Sequence, residues 1–462
     1  MISSAEMVQR SLASVWHPCT QMQHHEQTPL IPLARGAGPW LYDQDGWRYL
    51  DAISSWWVNL FGHANPRINA AVIKQLETLE HAMLAGFTHA PVIELSERLS
   101  ALTGHALGHA FYASDGASAI EIALKMSFHY WQNQGQKEKQ EYICLRGSYH
   151  GETVGALGVT DVALFREAYG ALIRPAHLVA SPDARQAGAG EDAQAVALRA
   201  AAEVENVLHR RAGQIAAIIV EPLVQCASGM QMHHPLYLQK LRALCDAHQV
   251  HLIADEIAVG CGRTGTFFAC EQAHIWPDFL CLSKGISGGY LPLSVVLSTE
   301  AVYQAFYDAD IRRGFLHSHS YTGNPLACRA ALATLDIFAQ DDVLARNQAQ
   351  AQRIMEGLQS IAALPQVRHL RQCGMIFAFD VDASFQHGPS FARRIFAAAA
   401  KNELLLRPIG NTVYLMPPYV LNPAETAHLL QATEDSLRAV LREADGAYDA
   451  ARAQQSAAEA AA

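Results

Sequence analysis

Residues 215–290 read IAAIIVEPLVQCASGMQMHHPLYLQKLRALCDAHQVHLIADEIAVGCGRTGTFFACEQAHIWPDFLCLSKGISGGY. Three short apolar runs stand in this stretch: Ala216–Val220 (AAIIV), His251–Ala254 (HLIA) and Phe279–Leu282 (FLCL). Runs this short and this apolar predict buried strands. Between the first two, Leu238, Leu241, Leu244 and Cys245 recur on one helical stripe and predict a helix over 235–248. Strand, helix and strand in that order need a crossover connection, which makes the strands parallel.

The same alternation begins upstream. Ala110–Ala113 predicts a strand. Ala119, Ile122, Ala123, Met126 and Tyr130 fall at helical spacing, and Tyr142–Leu145 predicts the next strand. The expected fold class is therefore α/β, with a large domain whose mostly parallel sheet is flanked by helices. From about Ala331 the pattern changes to a long helix, strand-like pieces at Met375–Asp380 and Thr412–Met416, and a last helix. This predicts a smaller α+β domain. The expected division is 1–65, an N-terminal segment serving the small domain and active site; 66–330, the large domain; 331–444, the small domain. Residues 445–462 form an Ala-rich tail, either a frayed helix or without order.

The bulk properties narrow the function class. The chain has 462 residues, 50% of them hydrophobic and 17% charged, enough for a large buried core. A formal net charge of −10 without a long Lys/Arg run argues against nucleic acid or an acidic membrane as partner. No run approaches the ~20 apolar residues of a membrane span, and the first residues lack the apolar core of a signal peptide. A cytoplasmic protein is expected. The 9 cysteines include no Cys-x-x-Cys pair, so reduced thiols are expected rather than a disulfide framework or a zinc site. His105 and His109 have the i,i+4 spacing of a metal pair, but no third ligand accompanies them, and no metal is expected.

The residues that carry chemistry sit at or just beyond strand ends, where parallel sheets place their ligands. Asp255 ends an apolar strand; a buried carboxylate there is a helix cap, a structural ion-pair partner or the holder of a protonated pyridine nitrogen. Ile257 shares its face by strand alternation and could pack on the same ring. Lys284 follows the next strand and precedes a Gly-rich turn. It is a solvated surface charge or, if buried, a neutral amine able to condense with an aldehyde and move a proton. Ser114–Ser118 (SDGAS) lies between a strand and a helix, as a simple N-cap or as a cradle of free N–H groups for a phosphate. Tyr149 is a packing residue or a ring that stacks on a flat heterocycle. Trp56 and Trp57 are core, or one lines an apolar or cationic substrate. Arg407 is a surface ion-pair member or a bidentate carboxylate ligand.

Taken in order, these residues resemble the class III aminotransferases of the fold type I pyridoxal-phosphate enzymes. The stretches IIVEPLVQ, HLIADEIAVGCGRTGTFFACE and PDFLCLSKGISGG carry the resemblance, which runs from about Trp16 to Arg442. It implies pyridoxal 5′-phosphate bound to Lys284, with its phosphate on Gly116 and Ala117, its nitrogen on Asp255, and Tyr149 and Ile257 at its ring. His319 and Ser320 would reach the phosphate of the other subunit, so a homodimer with shared sites is implied. Cys19, Trp56, Trp57, Tyr149, Ser318 and Arg407 would contact substrate; Glu221 and Arg263 lie near ring and substrate.

A finer likeness in WHPCTQM, SSWWVN, HSYTGNPLA and RPIGNTVYLMPPY implies S-adenosylmethionine as amino donor and 8-amino-7-oxononanoate as acceptor, a step of biotin biosynthesis. In that branch Cys19 stands at a position often Tyr, Ala117 at one often Ser, and Ser320 at one usually Thr. Another class III substrate, such as an ω-amino acid with pyruvate, is the main alternative; a pyridoxal-phosphate-binding protein without turnover is a further one.

Overall fold

The computed structural model describes residues 2–26, 28, 30–382 and 391–460, with 444–460 as backbone alone. Three strands come first: β1 (Leu33–Ala37), β2 (Trp40–Asp43) and β3 (Arg48–Asp51), joined as an antiparallel meander. The large sheet follows with β4 (His109–Ala113), β5 (Glu141–Leu145), β6 (His177–Val179) and β7 (Ile215–Val220). A small antiparallel pair, β8 (Val224–Gln225) and β9 (Gln231–Met232), separates them from β10 (His251–Asp255), β11 (Phe279–Leu282) and β12 (Ser294–Ser298).

The seven-stranded sheet has the order β4-β12-β11-β10-β7-β5-β6. Strands β6, β5, β7, β10 and β11 are parallel, as predicted from the alternation of strands and helices. Strand β12 runs antiparallel to both of its neighbours. It follows β11 through a short Gly-rich connection with no room for a crossover helix, so it returns beside β11 in the opposite sense. Strands β7, β10 and β11 are buried along their whole length, which is why they read as unbroken apolar runs.

The helix Gly116–Asn133 packs on this sheet, burying Ala119, Ile122, Ala123 and Met126 of the predicted stripe. The helix Leu236–His248 buries Leu238, Leu241 and Cys245. The long helix expected after Ala331 starts earlier, at Pro325, because the Asn324 side chain caps it and proline suits the first helical turn. Its companion runs Val343–Gly357. Strands β13 (Val367–Cys373), β14 (Ile376–Val381) and β16 (Thr412–Leu415) form a three-stranded antiparallel sheet. Strand β15 (Leu404–Leu405) instead pairs in parallel with β3, so residues 404–405 complete the sheet that residues 33–51 begin. The last helix runs Pro423–Ala460, so residues 445–460 of the Ala-rich tail continue it, in keeping with the helix propensity of alanine.

The helical spacing noted for His105 and His109 has no helix beneath it. The preceding helix ends at Leu102, His105 has a φ of 66°, and His109 opens β4. His109 Nε2 lies 2.6 Å from Glu300 Oε2, and its ring stacks on Tyr303. Among the described residues no helix is long and apolar enough to cross a membrane, and all nine cysteines are free thiols.

Candidate active site

A cavity of about 580 Å³ opens beyond the carboxyl ends of β4, β5, β7, β10 and β11. Asp255, the last residue of β10, and Lys284, two residues past β11, both line it. Parallel neighbours end at the same level, so the register of β10 and β11 alone brings these residues to one rim.

Lys284 has a φ of 46°, a left-handed conformation that a lysine seldom adopts. Its Nζ lies 5.2 Å from the Trp57 ring centre. Burial lowers its pKa below the ordinary lysine range, against the raising influence of Asp255, Cys226 and Glu221. The amine is thus pushed toward its neutral, nucleophilic form.

Asp255 is buried, and its two oxygens have separate partners. Oδ1 accepts the Ile257 N–H at 3.1 Å, and Oδ2 lies 2.7 Å from His150 Nδ1. Ile257 shares the cavity wall with Asp255, though for a different reason from strand alternation: β10 ends at Asp255, and the turn after it brings Ile257 round. His150 adjoins Tyr149 in sequence, but spacing alone gives no sign that its ring turns inward to Asp255.

Glu221, one residue past β7, is also buried; it accepts the N–H groups of Tyr149 at 3.0 Å and Cys226 at 3.1 Å. Burial raises its pKa to about 7, with the Asp255 charge adding to the rise and His150 opposing it. Tyr149 lines the cavity, and its hydroxyl donates to Glu152 Oε1 at 2.9 Å. Burial holds that hydroxyl above the ordinary tyrosine range, and the Glu152 hydrogen bond acts in the same sense.

The turn before the helix Gly116–Asn133 forms another wall, through Ser114, Asp115, Gly116 and Ala117. Asp115 caps the helix by accepting the Ser118 N–H, so the N-cap reading of this segment is correct. The amides of Gly116 and Ala117 remain in the first turn, where no intrahelical acceptor exists. A Cβ on Gly116 would lie 3.0 Å from the Ile257 side chain, and one on Gly151 2.6 Å from the Ala117 Cβ. Absence of side chains at 116 and 151 therefore keeps the cradle open.

The paired tryptophans part company. Trp57 is buried, lines the cavity and donates its indole N–H to the Tyr414 hydroxyl at 3.1 Å. Trp56 is exposed and stacks under Arg407, whose guanidinium carbon is 4.5 Å from the ring centre. Arg407 Nη2 also donates to the Cys19 carbonyl at 3.3 Å. Trp56, Arg407 and Cys19 thus form a cluster next to the cavity and outside its lining. Arg263 is buried deeper, donating to the Pro417 carbonyl at 2.7 Å. Ser318 and Ser320 are exposed and lie outside the cavity of their own chain. His319 Nε2 lies 3.0 Å from Ser114 Oγ, against the turn of its own subunit.

The family model described as aminotransferase class III matches residues 21–437. The chain belongs to the class III aminotransferases. It is a pyridoxal-phosphate-dependent aminotransferase, as members of that family are. Among its relatives, the adenosylmethionine-8-amino-7-oxononanoate aminotransferase of Helicobacter pylori is 45% identical over 428 residues, covering 90% of this chain and 93% of the relative. The enzyme of the same name from Synechococcus elongatus is 39% identical, covering 92% and 98%. The crystal structure of that aminotransferase from Methanocaldococcus jannaschii superposes with a TM-score of 0.87 at 30% identity, covering 94% of this chain and 99% of the other. An omega transaminase from Pseudomonas jessenii, solved in complex with PMP, gives a TM-score of 0.89 at 26% identity, covering 95% and 99%. The fold type I architecture expected of the family is the one observed.

The cavity fits the cofactor of the family. It joins an amine of lowered pKa, a buried carboxylate that bears on it, and a first helical turn whose Gly116 and Ala117 carry little or no side chain.

Proposed function

We propose that this aminotransferase moves an amino group from S-adenosylmethionine to 8-amino-7-oxononanoate, giving 7,8-diaminononanoate for biotin biosynthesis. The observation that carries the reading is the joint presence of Lys284 and Asp255 on one cavity wall, in a chain 45% identical to a relative of that name. The omega transaminase from Pseudomonas jessenii shares the fold at 26% identity, so an ω-amine substrate is the competing reading.

When bound, pyridoxal phosphate supplies an aldehyde and an electron-withdrawing ring. Lys284 Nζ would hold it and, when free, would take and return a proton at the substrate carbon. Asp255, held by His150 and the Ile257 N–H, places negative charge where a protonated ring nitrogen is favoured. Gly116 and Ala117, in the first turn of a helix that lines the cavity, would offer N–H groups to the phosphate. Tyr149 and Ile257, both in the cavity wall, would face the ring, and Trp57 lines the cavity beside Lys284. Arg407 is the candidate to bind the nonanoate carboxylate, with Trp56 steadying its guanidinium and Cys19 beside it; Ser318, exposed outside the cavity of its own chain, is a further proposed substrate contact. Cys19 lacks a phenolic hydroxyl, so no hydrogen bond of that kind is assigned to it.

The same reading includes a cytoplasmic homodimer in which His319 and Ser320 serve the neighbouring subunit's phosphate. It also takes residues 66–330 as the cofactor-binding domain, with 1–65 and 331–444 making up the small domain and the entrance.

The test is a pair of half-reactions. The cofactor-loaded protein mixed with S-adenosylmethionine should lose its visible absorbance, and 8-amino-7-oxononanoate should then restore it with release of diaminononanoate. No response to S-adenosylmethionine beside brisk conversion by a generic ω-amine would move the protein to the omega transaminases.

A further inference from the structure

Trp56 and Trp57 are neighbours in sequence, yet one faces out beneath Arg407 and the other faces the cavity beside Lys284. The backbone achieves this through an unusual turn. Ser54, Ser55 and Trp57 have φ of 52°, 60° and 65°, left-handed values that side chains disfavour. Such a turn persists only where its surroundings over-determine it.

Those surroundings converge on Asp51, the fully buried last residue of β3. Its Oδ1 accepts the Ser55 N–H at 2.8 Å. Its Oδ2 accepts the Ser55 hydroxyl at 3.0 Å and lies 3.1 Å from His63 Nε2. The Asn59 amide nitrogen is 3.1 Å from His63 Nδ1, so Nδ1 accepts and the ring proton sits on Nε2, directed at Asp51. His63 is itself pinned. Its N–H and carbonyl pair with Gly38, and it packs so closely on Gly36 that a Cβ there would meet it at 2.5 Å. On the other side, Ser54 Oγ donates to the Met416 carbonyl at 2.7 Å. Arg263 Nη2 donates to that same Oγ at 3.3 Å. No ligand role accounts for Asp51, which is absent from the cavity lining.

We propose that Asp51 is a positioning residue for amino transfer: through Ser55 and His63 it holds the left-handed turn in the shape that sets Trp57 beside Lys284 and Trp56 beneath Arg407. The proposal rests on the amino-transfer reading above. Its consequence is selectivity. A large donor must fit against the Trp57 wall, whereas a small amine reaches Lys284 with little contact to it.

The experiment compares full-length protein carrying Asp51→Asn or Ser55→Ala, each alone and combined with Trp57→Phe. In the cofactor-loaded forms, single-turnover half-reactions are followed with S-adenosylmethionine and with propan-2-amine. Asp51→Asn should lower the ratio of the two rates by about tenfold, the size of one lost hydrogen bond to a charged group. In the Trp57→Phe background the same change should shrink to about twofold or less, since the interaction being disturbed is already gone. In the cofactor-free forms, acrylamide quenching of indole fluorescence should rise with Asp51→Asn and stay level when Trp57 is also replaced.

An equal fall for both donors, or a full loss persisting without Trp57, would show that Asp51 merely supports the fold. Ser55→Ala removes one hydroxyl and carries the test should Asp51→Asn not fold. Wild-type silence toward S-adenosylmethionine would overturn the substrate reading alone, because the quenching cycle needs no substrate.

Discussion

His150 Nδ1 lies 2.7 Å from Asp255 Oδ2, with both side chains buried at the end of the parallel sheet. The contact fixes which way the carboxylate faces, while the Ile257 N–H fixes its other oxygen. His150→Leu should leave Asp255 without its side-chain donor, lowering turnover by about tenfold or more and weakening cofactor retention. Asp255→Ala should cost on the order of a hundredfold further, because the charge opposite the ring is removed rather than loosened. Steady-state turnover and cofactor dissociation by dialysis measure both. Equal losses for the two variants would mean that His150 does more than orient Asp255.

Lys284→Ala should remove the visible absorbance of the covalently held cofactor and reduce turnover on the order of a thousandfold or more, since nucleophile and proton shuttle disappear together. An unaltered absorption spectrum would refute the assignment outright.

Arg407 stacks on Trp56 and faces solvent. Arg407→Ala should slow the half-reaction with the keto acid by about tenfold, while the donor half-reaction changes less. If both half-reactions fall together, the guanidinium is a structural clamp on the Cys19 carbonyl.

Glu221 gives a prediction in pH. Its pKa is raised by burial to about 7 in the folded chain, against about 4.3 when unfolded. Between those values the folded state binds more protons than the unfolded one, so stability falls as pH rises through this window. Glu221→Gln cannot ionise. From about pH 5 to about pH 8 the wild type should lose on the order of 3 kcal/mol more than this variant. Urea unfolding of the two cofactor-free proteins at the two pH values reads the difference. Parallel pH profiles would show that Glu221 is ionised throughout and held by its two N–H donors.

The sequence by itself determined the parallel core and the placing of Asp255 and Lys284. Strands buried on both faces must be continuously apolar, so β7, β10 and β11 announce themselves, and residues at their carboxyl ends fall on one rim whatever the detail. It also marked the glycine-bearing turn at 114–118, because a strand, a small-residue turn and a helix leave little choice of geometry. The tertiary structure alone decided the rest. Whether Trp56 or Trp57 faces the cavity depends on a left-handed turn held by Asp51, Ser55 and His63, and neither helical nor strand periodicity describes such a turn. That His150 turns toward Asp255, and that β15 joins the sheet begun by β3, are contacts between residues distant along the chain. Local spacing carries no record of them, because side-chain direction at a loop and strand pairing between segments far apart in the chain are settled by packing.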